Sequence, residues 1–542
     1  MTIGGEDGTI KVDLFFSQHQ AQGNSIMKHK LLQVGIVFIV CFITLAYAKN
    51  KRPNILFIMS DDHTSQAWGI YDGILKDYVK TSNIQRLANE GCVLENAFCT
   101  NSICTPSRAA ILTGQYSHIN QVYTLREPLP PDHINIAGLL KNNGYQTAVI
   151  GKWHLVKKPT GFDYFNVLPG QGVYNNPVLK STENWKEGYE GGKMYEGFST
   201  DVITDLTINW LKERDQHKPF MMFTHFKATH EPFYYPDKYN DLYKDIDLPE
   251  PESLYDFDPS TTGRSFKGQK LNVLGDRMVQ ATVDPDNFWT TYPGLPFSIS
   301  DLDSIQARKK IYQKFVKDFL RCGAAIDDNL GRILEYLDEA GLAENTIVIY
   351  TADQGYFLGE HGFFDKRLIY EESLRMPFVI RYPEEISGGI RNSDIILNID
   401  FSALLADYAG VQMPNVMQGT SFRNNLKGHT ASNWRKSMYY RYWLHRTERP
   451  GHFGIRNERY KLAFFYGQPL GMKGAMKTAT VPAWEFFDLE KDPHENHNAY
   501  EDDEYASIIK TMKIELLTQR EAVGDMDSDY PVMQDILEKY WE

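Results

Sequence analysis

Cysteine is scarce in this chain, with five residues in 542. Cys41 lies in an apolar N-terminal run, which leaves Cys92, Cys99, Cys104 and Cys322 for the body of the protein. So small a set excludes a disulfide-built scaffold, and no Cys/His cluster has the spacing of a zinc site. Positive charge is also in deficit: 57 Lys and Arg face 70 Asp and Glu, a net charge of −13. That balance excludes a general nucleic-acid binder, which needs a basic face, and leaves room only for a local basic pocket. No apolar run reaches the ~20 residues that span a membrane. There is no internal repeat and no low-complexity tract. What is present is 42% hydrophobic and 13% aromatic residues. That is ample for a large core, and the length predicts two domains.

The N-terminus reads as an address. Lys28 and Lys30 precede the apolar run Leu31–Leu45, and Ala46-Tyr47-Ala48 offers a small-x-small cleavage site before Lys49. This is the pattern of a secretory signal peptide starting near Met27, with residues 1–26 as an upstream extension. The expectation is export to the periplasm or medium, with no stable membrane anchor.

Beyond residue 49 the chain alternates short apolar runs with helical patterns. The runs Ile55–Met59, Ala148–Ile150, Phe220–Phe223, Thr346–Tyr350 and Phe378–Ile380 have the continuous apolarity of strands buried on both faces. Helices are expected at Asn83–Glu90, Ile136–Asn142, Asp201–Arg214 and Lys309–Ala340. The alternation predicts an α/β fold with a large, mostly parallel sheet. Past residue 430 the pattern shifts to aromatic-rich strands at Ser437–Trp443, Phe453–Arg456, Tyr460–Phe465 and Trp484–Leu489, then a helix near Tyr505–Ala522 and a polar tail from Val523. The expected domains are 1–48 (extension and signal), 49–430 (catalytic) and 431–542 (a smaller antiparallel α+β domain). Residues 245–305 look like a long insertion near the site mouth.

The polar clusters all follow apolar runs, where an α/β sheet binds its ligands. Asp61-Asp62 follows the first run and Asp353-Gln354 a later one. Either pair alone is an ordinary turn. Together they offer three carboxylates and an amide oxygen, a hard-oxygen set suited to Ca²⁺ or Mg²⁺. Gly151-Lys152-Trp153-His154 and the stretch through Lys227 to His230 end two other strands, and Gly359–Lys366 adds a further histidine and lysine. Arg108 stands one helical turn from Cys104, on the same side.

The run Cys104-Thr105-Pro106-Ser107-Arg108, closing on Leu112-Thr113-Gly114, resembles the C-x-P-S-R-x-x-x-L-T-G signature of the formylglycine-dependent sulfatases, bacterial polysaccharide branch. The resemblance spans about residues 52–520, through G-K-W-H, G-x-H-G-x-x-x-K ending at Lys366, and a C-terminal G-I-R, Y-K-L and D-L-x-x-D-P-x-E pattern. It implies an alkaline-phosphatase-like sandwich and a sulfuric ester hydrolase. It implies that Cys104 is oxidised to an aldehyde whose hydrate attacks sulfur, which leaves three thiols and at most one disulfide. Asp61, Asp62, Asp353 and Gln354 would hold Ca²⁺, with Mg²⁺ second, and converted Cys104 would be a further ligand. Gln354 departs from the usual Asn or His. Asp353 would accept the proton of the attacking hydroxyl and Arg108 would steady the hydrate. Lys152 would bind sulfate and His154 would serve sulfo-enzyme breakdown. His230 and Lys366 would protonate the departing alcohol. His225 and His361 are expected to be structural.

Arg441, His445 and His452 are read on a loop that could reach the site and are candidates for reading substrate, with plain hairpin polarity as the alternative. The implied partners are a sulfated oligo- or polysaccharide (algal such as ulvan, or glycosaminoglycan or mucin) and a formylglycine-generating or anaerobic maturing enzyme. A phosphonate or phosphodiester hydrolase of the same fold, and a glycan-binding pseudoenzyme, are the alternatives.

Overall fold

The computed structural model describes residues 52–256 and 270–541; the expected extension and signal, residues 1–48, lie outside them. Ten strands form one sheet: β1 (Asn54–Asp61), β2 (Cys92–Leu94), β3 (Gln146–Lys152), β4 (Tyr164–Leu168), β5 (Val178–Ser181), β6 (Lys193–Met194), β7 (Phe220–Thr229), β8 (Thr346–Ala352), β9 (Phe378–Arg381) and β10 (Ile390–Asn392). Their order is β10-β2-β9-β8-β1-β7-β3-β4-β5-β6. The central five, β8-β1-β7-β3-β4, run parallel, while β9 pairs antiparallel with β8 and β2. The sheet is therefore mixed, with a parallel centre.

Why the centre reads as unbroken apolarity is visible in β1. Ile55, Phe57 and Met59 point into one core and Leu56 and Ile58 into the other. Leu56, Phe57 and Ile58 are completely buried, and each such side chain contributes about 1.5–3 kcal/mol. Helices α1 (Ser82–Glu90), α4 (Ser199–Glu213) and α6 (Ser304–Glu339) supply one covering layer. Helices α2 (Cys104–Thr113), α3 (Ile136–Asn142) and α7 (Asp400–Ala409) supply the other. α5 (Leu271–Val283) packs against α6 with Leu271, Leu274 and Met278. The long α6 begins where Asp303 accepts from Gln306 N at 2.8 Å, an N-cap that satisfies one orphan donor.

The C-terminal sheet is a four-stranded antiparallel meander: β11 (Ser437–Tyr442), β12 (His452–Asn457), β13 (Tyr460–Phe465) and β14 (Ala483–Asp488). Its apolar residues join the core that contains Ile55 and Phe57. One reading of this region needs correction. α8 (Ala506–Val523) is followed by α9 (Pro531–Tyr540) rather than by a polar tail. Met533 and Ile536 of α9 are buried, and Trp541 packs edge-on against Trp484. Two apolar residues three apart anchor that short helix, too few for a clear periodic signal. The four body cysteines are all buried and free, within the expected limit of at most one disulfide.

Candidate active site

Four strand ends deliver the polar groups. β1 ends at Asp61, β3 at Lys152, β7 just before His230 and β8 just before Asp353. The approach of β3 to β7 is close: a Cβ on Gly151, whose φ is +102°, would stand 1.9 Å from His225 O. Only glycine fits there, and it sets the height at which Lys152 leaves the sheet. Asp62 (φ 69°), His154 (φ 56°) and Arg367 (φ 97°) hold left-handed backbone without being glycine, a strain typical of functional sites.

α2 brings Cys104. Ile103 before it is extended, Pro106 sits in the first turn where its missing N–H is no loss, and Gly114 closes the helix at φ 63°. All ten residues of α2 are buried. Cys104 and Arg108 therefore lie inside the molecule, against the strand ends.

The charges interlock. Arg108 Nε donates to Asp353 Oδ2 at 2.9 Å and Nη1 to Lys152 O at 2.7 Å. Arg108 Nη2 lies 3.6 Å from Asp61 Oδ1. Lys366 Nζ donates to both oxygens of Asp62 at 2.5 and 2.6 Å. Lys152 Nζ donates to Asp61 and to Gln171. Asp353 Oδ1 accepts from Asp62 N at 3.1 Å and from Gln354 Nε2 at 2.7 Å. Three buried carboxylates thus meet three buried cations, which such ions require.

Burial and like charge spread the acids apart. Burial pushes Asp353 up, and Asp61 adds to it against the opposing pull of Arg108. Burial pushes Asp62 up too, and Lys366 opposes. Asp61 goes the other way: Lys152 and the other cations around it outweigh burial and hold it well below the usual carboxylate range. Burial, reinforced by Asp61, pushes the Cys104 thiol up. At neutral pH it is a thiol and not a ready nucleophile.

These residues also fit a divalent cation. Ligand atoms of Asp61, Asp62 and Asp353 lie within 4.8 Å of one another, as do those of Asp61, Cys104 and His230. Asp61 Oδ1 and Gln354 Oε1 are buried without a hydrogen-bond partner. Gln354 Nε2 reaches Asp62, and it comes to 4.0 Å from Cys104 Sγ. The longer amide therefore does reach the cluster.

His154 and His230 lie at the edge of the cluster, both half-buried. His154 O accepts from Thr105 Oγ1 at 2.9 Å. His230 Nε2 is 4.0 Å from Asp62 Oδ2. Burial, then Lys152, holds both imidazoles well below their ordinary value. His225 and His361 are buried; His225 Nδ1 contacts Lys152 O at 3.1 Å.

Sequence reasoning missed three neighbours. Gln171 holds Lys152. Tyr174 donates to His230 O at 2.6 Å. Lys227 lies over the Tyr174 ring at 4.8 Å, its pKa lowered to about 8 by burial. The available signal was position: Gln171 follows the end of β4, and Lys227 precedes His230 by three residues.

A family model described as sulfatase matches residues 53–411, and one described as N-sulphoglucosamine sulphohydrolase, C-terminal, matches residues 359–522. The chain belongs to the sulfatase family. It is 36% identical over 518 residues to an N-acetylglucosamine-6-O-sulfatase of Bacteroides thetaiotaomicron, covering 89% of this chain and 88% of that protein. A solved structure of a protein in complex with its substrate, D-glucosamine-2-N,6-O-disulfate, superposes with a TM-score of 0.79 at 34% identity, covering 89% and 100%. A phosphonate monoester hydrolase from Silicibacter pomeroyi has a TM-score of 0.66 at 20% identity, covering 88% and 96%, a likeness of fold alone. The protein is thus a sulfuric ester hydrolase with the alkaline-phosphatase-like fold.

The sulfatase site does not gather the three C-terminal candidates. Arg441 is in β11 and 2% exposed. Its guanidinium donates to Asp525 and Asp527 at 2.6 Å each and stacks 3.6 Å from the Trp443 centroid. It is a buried staple for the segment between α8 and α9. His445 is fully buried, with Nε2 2.8 Å from Thr478 O. His452 lies in β12 and stacks on Phe465 at 4.5 Å. Arg441 and His452 are fixed by burial within strands, and His445 by burial in the connection between them. Arg441→Met is expected to cost about 3–5 kcal/mol of stability by stranding two buried carboxylates. Urea unfolding reads that loss, with KM for a sulfated sugar unchanged; a raised KM at native stability would return Arg441 to the substrate.

Proposed function

We propose that this sulfatase removes the 6-O-sulfate of a glucosamine-type residue in a sulfated saccharide, through formylglycine made from Cys104. The observation that carries the mechanism is the convergence of Cys104, three carboxylates and three cations in one buried cluster. The substrate rests on the 36% identical N-acetylglucosamine-6-O-sulfatase.

Asp61, Asp62, Asp353 and Gln354 hold Ca²⁺, which when bound supplies charge neutralisation at the sulfate oxygens. Oxidation of Cys104 to the aldehyde by the maturing enzyme, followed by addition of one water, supplies two geminal hydroxyls, one to attack sulfur and one to expel sulfate afterwards. Arg108 orients the Asp353 carboxylate, which accepts the proton of the attacking hydroxyl. Lys152 and Lys366 exchange their carboxylate partners for sulfate oxygens, where fixed positive charge stabilises the transition state. His230, the edge residue held by Tyr174, stands at the leaving alcohol and shares its protonation with Lys366. His154 takes the proton that releases sulfate.

Because Cys104 is 1% exposed, a formylglycine-generating or anaerobic maturing enzyme acts before the chain closes around it. The signal-like residues 27–48 support export to the periplasm or medium. No described helix is long and apolar enough to cross a membrane. The test is sulfate release from a panel: glucosamine 6-sulfate, its N-acetyl form, 3-O-sulfated glucosamine, ulvan oligosaccharides and a phosphonate monoester. Turnover of the 6-sulfates at least about tenfold above the rest supports the reading. Preference for ulvan or the phosphonate contradicts it.

A further inference from the structure

Outside the buried cluster, α5 and the segment after it flank the half-buried edge at His230. The anchor is Arg277, whose Nη1 donates to both oxygens of Glu231 at 3.1 and 2.9 Å. Tyr292 donates to the same carboxylate. Glu231 is the residue after His230, so this clamp is fastened beside the leaving-group position. The Arg277 guanidinium lies 5.3 Å from the Phe364 ring and 6.0 Å from the Trp289 ring. Phe364 precedes Lys366 by two residues. A row therefore runs from the sulfate side, through Phe364 and Arg277, to Trp289.

Trp289 is 63% exposed, and Phe288 packs against it at 5.5 Å. A lone exposed aromatic is ordinary. Here the indole is coupled to a guanidinium that is fixed next to a catalytic candidate and is itself one-third exposed. Glu231 engages only its Nη1. An indole offers a flat apolar face to the C–H face of a pyranose, and a guanidinium fork suits carboxylate or sulfate.

We propose that Trp289 and Arg277 form a subsite for the sugar adjoining the sulfated residue, with Trp289 stacking on the ring and Arg277 binding an oxyanion on it. The inference rests on the sulfatase reading and narrows it: the preferred substrate is an oligosaccharide whose neighbouring sugar is acidic.

Two measurements on the full chain test this. In the first, matured wild type, Trp289→Ala and Arg277→Lys are assayed on 6-sulfated glucosamine, on a 6-sulfated tetrasaccharide with adjoining uronates, on its carboxyl-reduced form, and on that form with a sulfate ester on the neighbouring sugar. Trp289→Ala is expected to lower the ratio of kcat/KM for tetrasaccharide over monosaccharide about tenfold, mainly through KM. Arg277→Lys is expected to erase the preference for the acidic forms, and the wild-type ranking of uronate against sulfate ester identifies the oxyanion. An unchanged ratio, or no preference for an acidic neighbour in wild type, overturns the subsite. In the second, the Cys104→Ala protein, which does not turn over, is titrated calorimetrically with the uronate tetrasaccharide. Trp289→Ala in that background is expected to weaken binding about tenfold. Equal affinity, or no binding at all, overturns the subsite. Saccharide binding that depends on Trp289, with no sulfate release by matured wild type, would sink the sulfatase reading alone.

Discussion

Cys104→Ala is expected to reduce sulfate release by about 10⁴-fold or more, with unfolding barely changed, because loss of a covalent nucleophile removes the reaction path and not merely a contact. The thiol is small and buried, and its polar contact is a weak one to Gln354 Nε2 at 4.0 Å, so alanine leaves little void. Cys104→Ser separates two accounts. If the aldehyde hydrate is needed, serine that is not oxidised gives at most one round of sulfate transfer, since a sulfated serine has no second hydroxyl for release. If a plain nucleophile suffices, serine retains turnover. The buried environment favours the first, because burial and Asp61 raise the thiol's pKa by more than Lys366 and Lys152 lower it.

Stripping divalent cations with a chelator is expected to lower kcat at least about 100-fold and to lower Tm by a few degrees, with Ca²⁺ restoring both. The reasoning is electrostatic. Asp61, Asp62 and Asp353 share the cations Lys152, Lys366 and Arg108, so the carboxylates remain neutralised and the fold survives without metal. When a sulfate ester enters, the lysines are asked to serve it as well, and the carboxylates then need another cation. Asp353→Asn should mimic the activity loss and abolish the Tm increment from Ca²⁺. Full activity in the chelated enzyme, with no Tm response to Ca²⁺, would contradict the assignment of Asp61, Asp62, Asp353 and Gln354 to a metal.

Much of the site was legible because its residues follow strands that announce themselves locally. A central strand of a parallel sheet is apolar on both faces, so β1, β3, β7 and β8 stand out, and the polar residue that ends each one is where the chain leaves the sheet. Asp61, Lys152, His230 and Asp353 needed no long-range information to be placed near one another. Arg441 shows where that logic fails. β11 is buried along its whole length, so an arginine there looked like a loop residue when its partners Asp525 and Asp527 were more than 80 positions away. Pairing across that distance has no local signature. The same holds for Tyr174, whose hydroxyl reaches His230 O from a different connection. It holds for Arg277 as well, which lies in an insertion with weak periodicity. α9 was overlooked for a different reason: ten residues with two buried apolar positions give a helix stabilised by docking and not by its own pattern.

The account turns on the chemical state of Cys104, and the mass of one peptide reads it. Tryptic cleavage after Arg86 and Arg108 yields Leu87–Arg108, which carries Cys92, Cys99 and Cys104 together. In protein from a host with a maturing enzyme, after thiol alkylation, two cysteines should be alkylated. The third position should have lost a sulfur and two hydrogens and gained an oxygen, with that change mapped to Cys104. The same preparation should release sulfate from glucosamine 6-sulfate in proportion to the converted fraction. Three alkylated cysteines in a preparation that is nonetheless fully active would contradict the central claim.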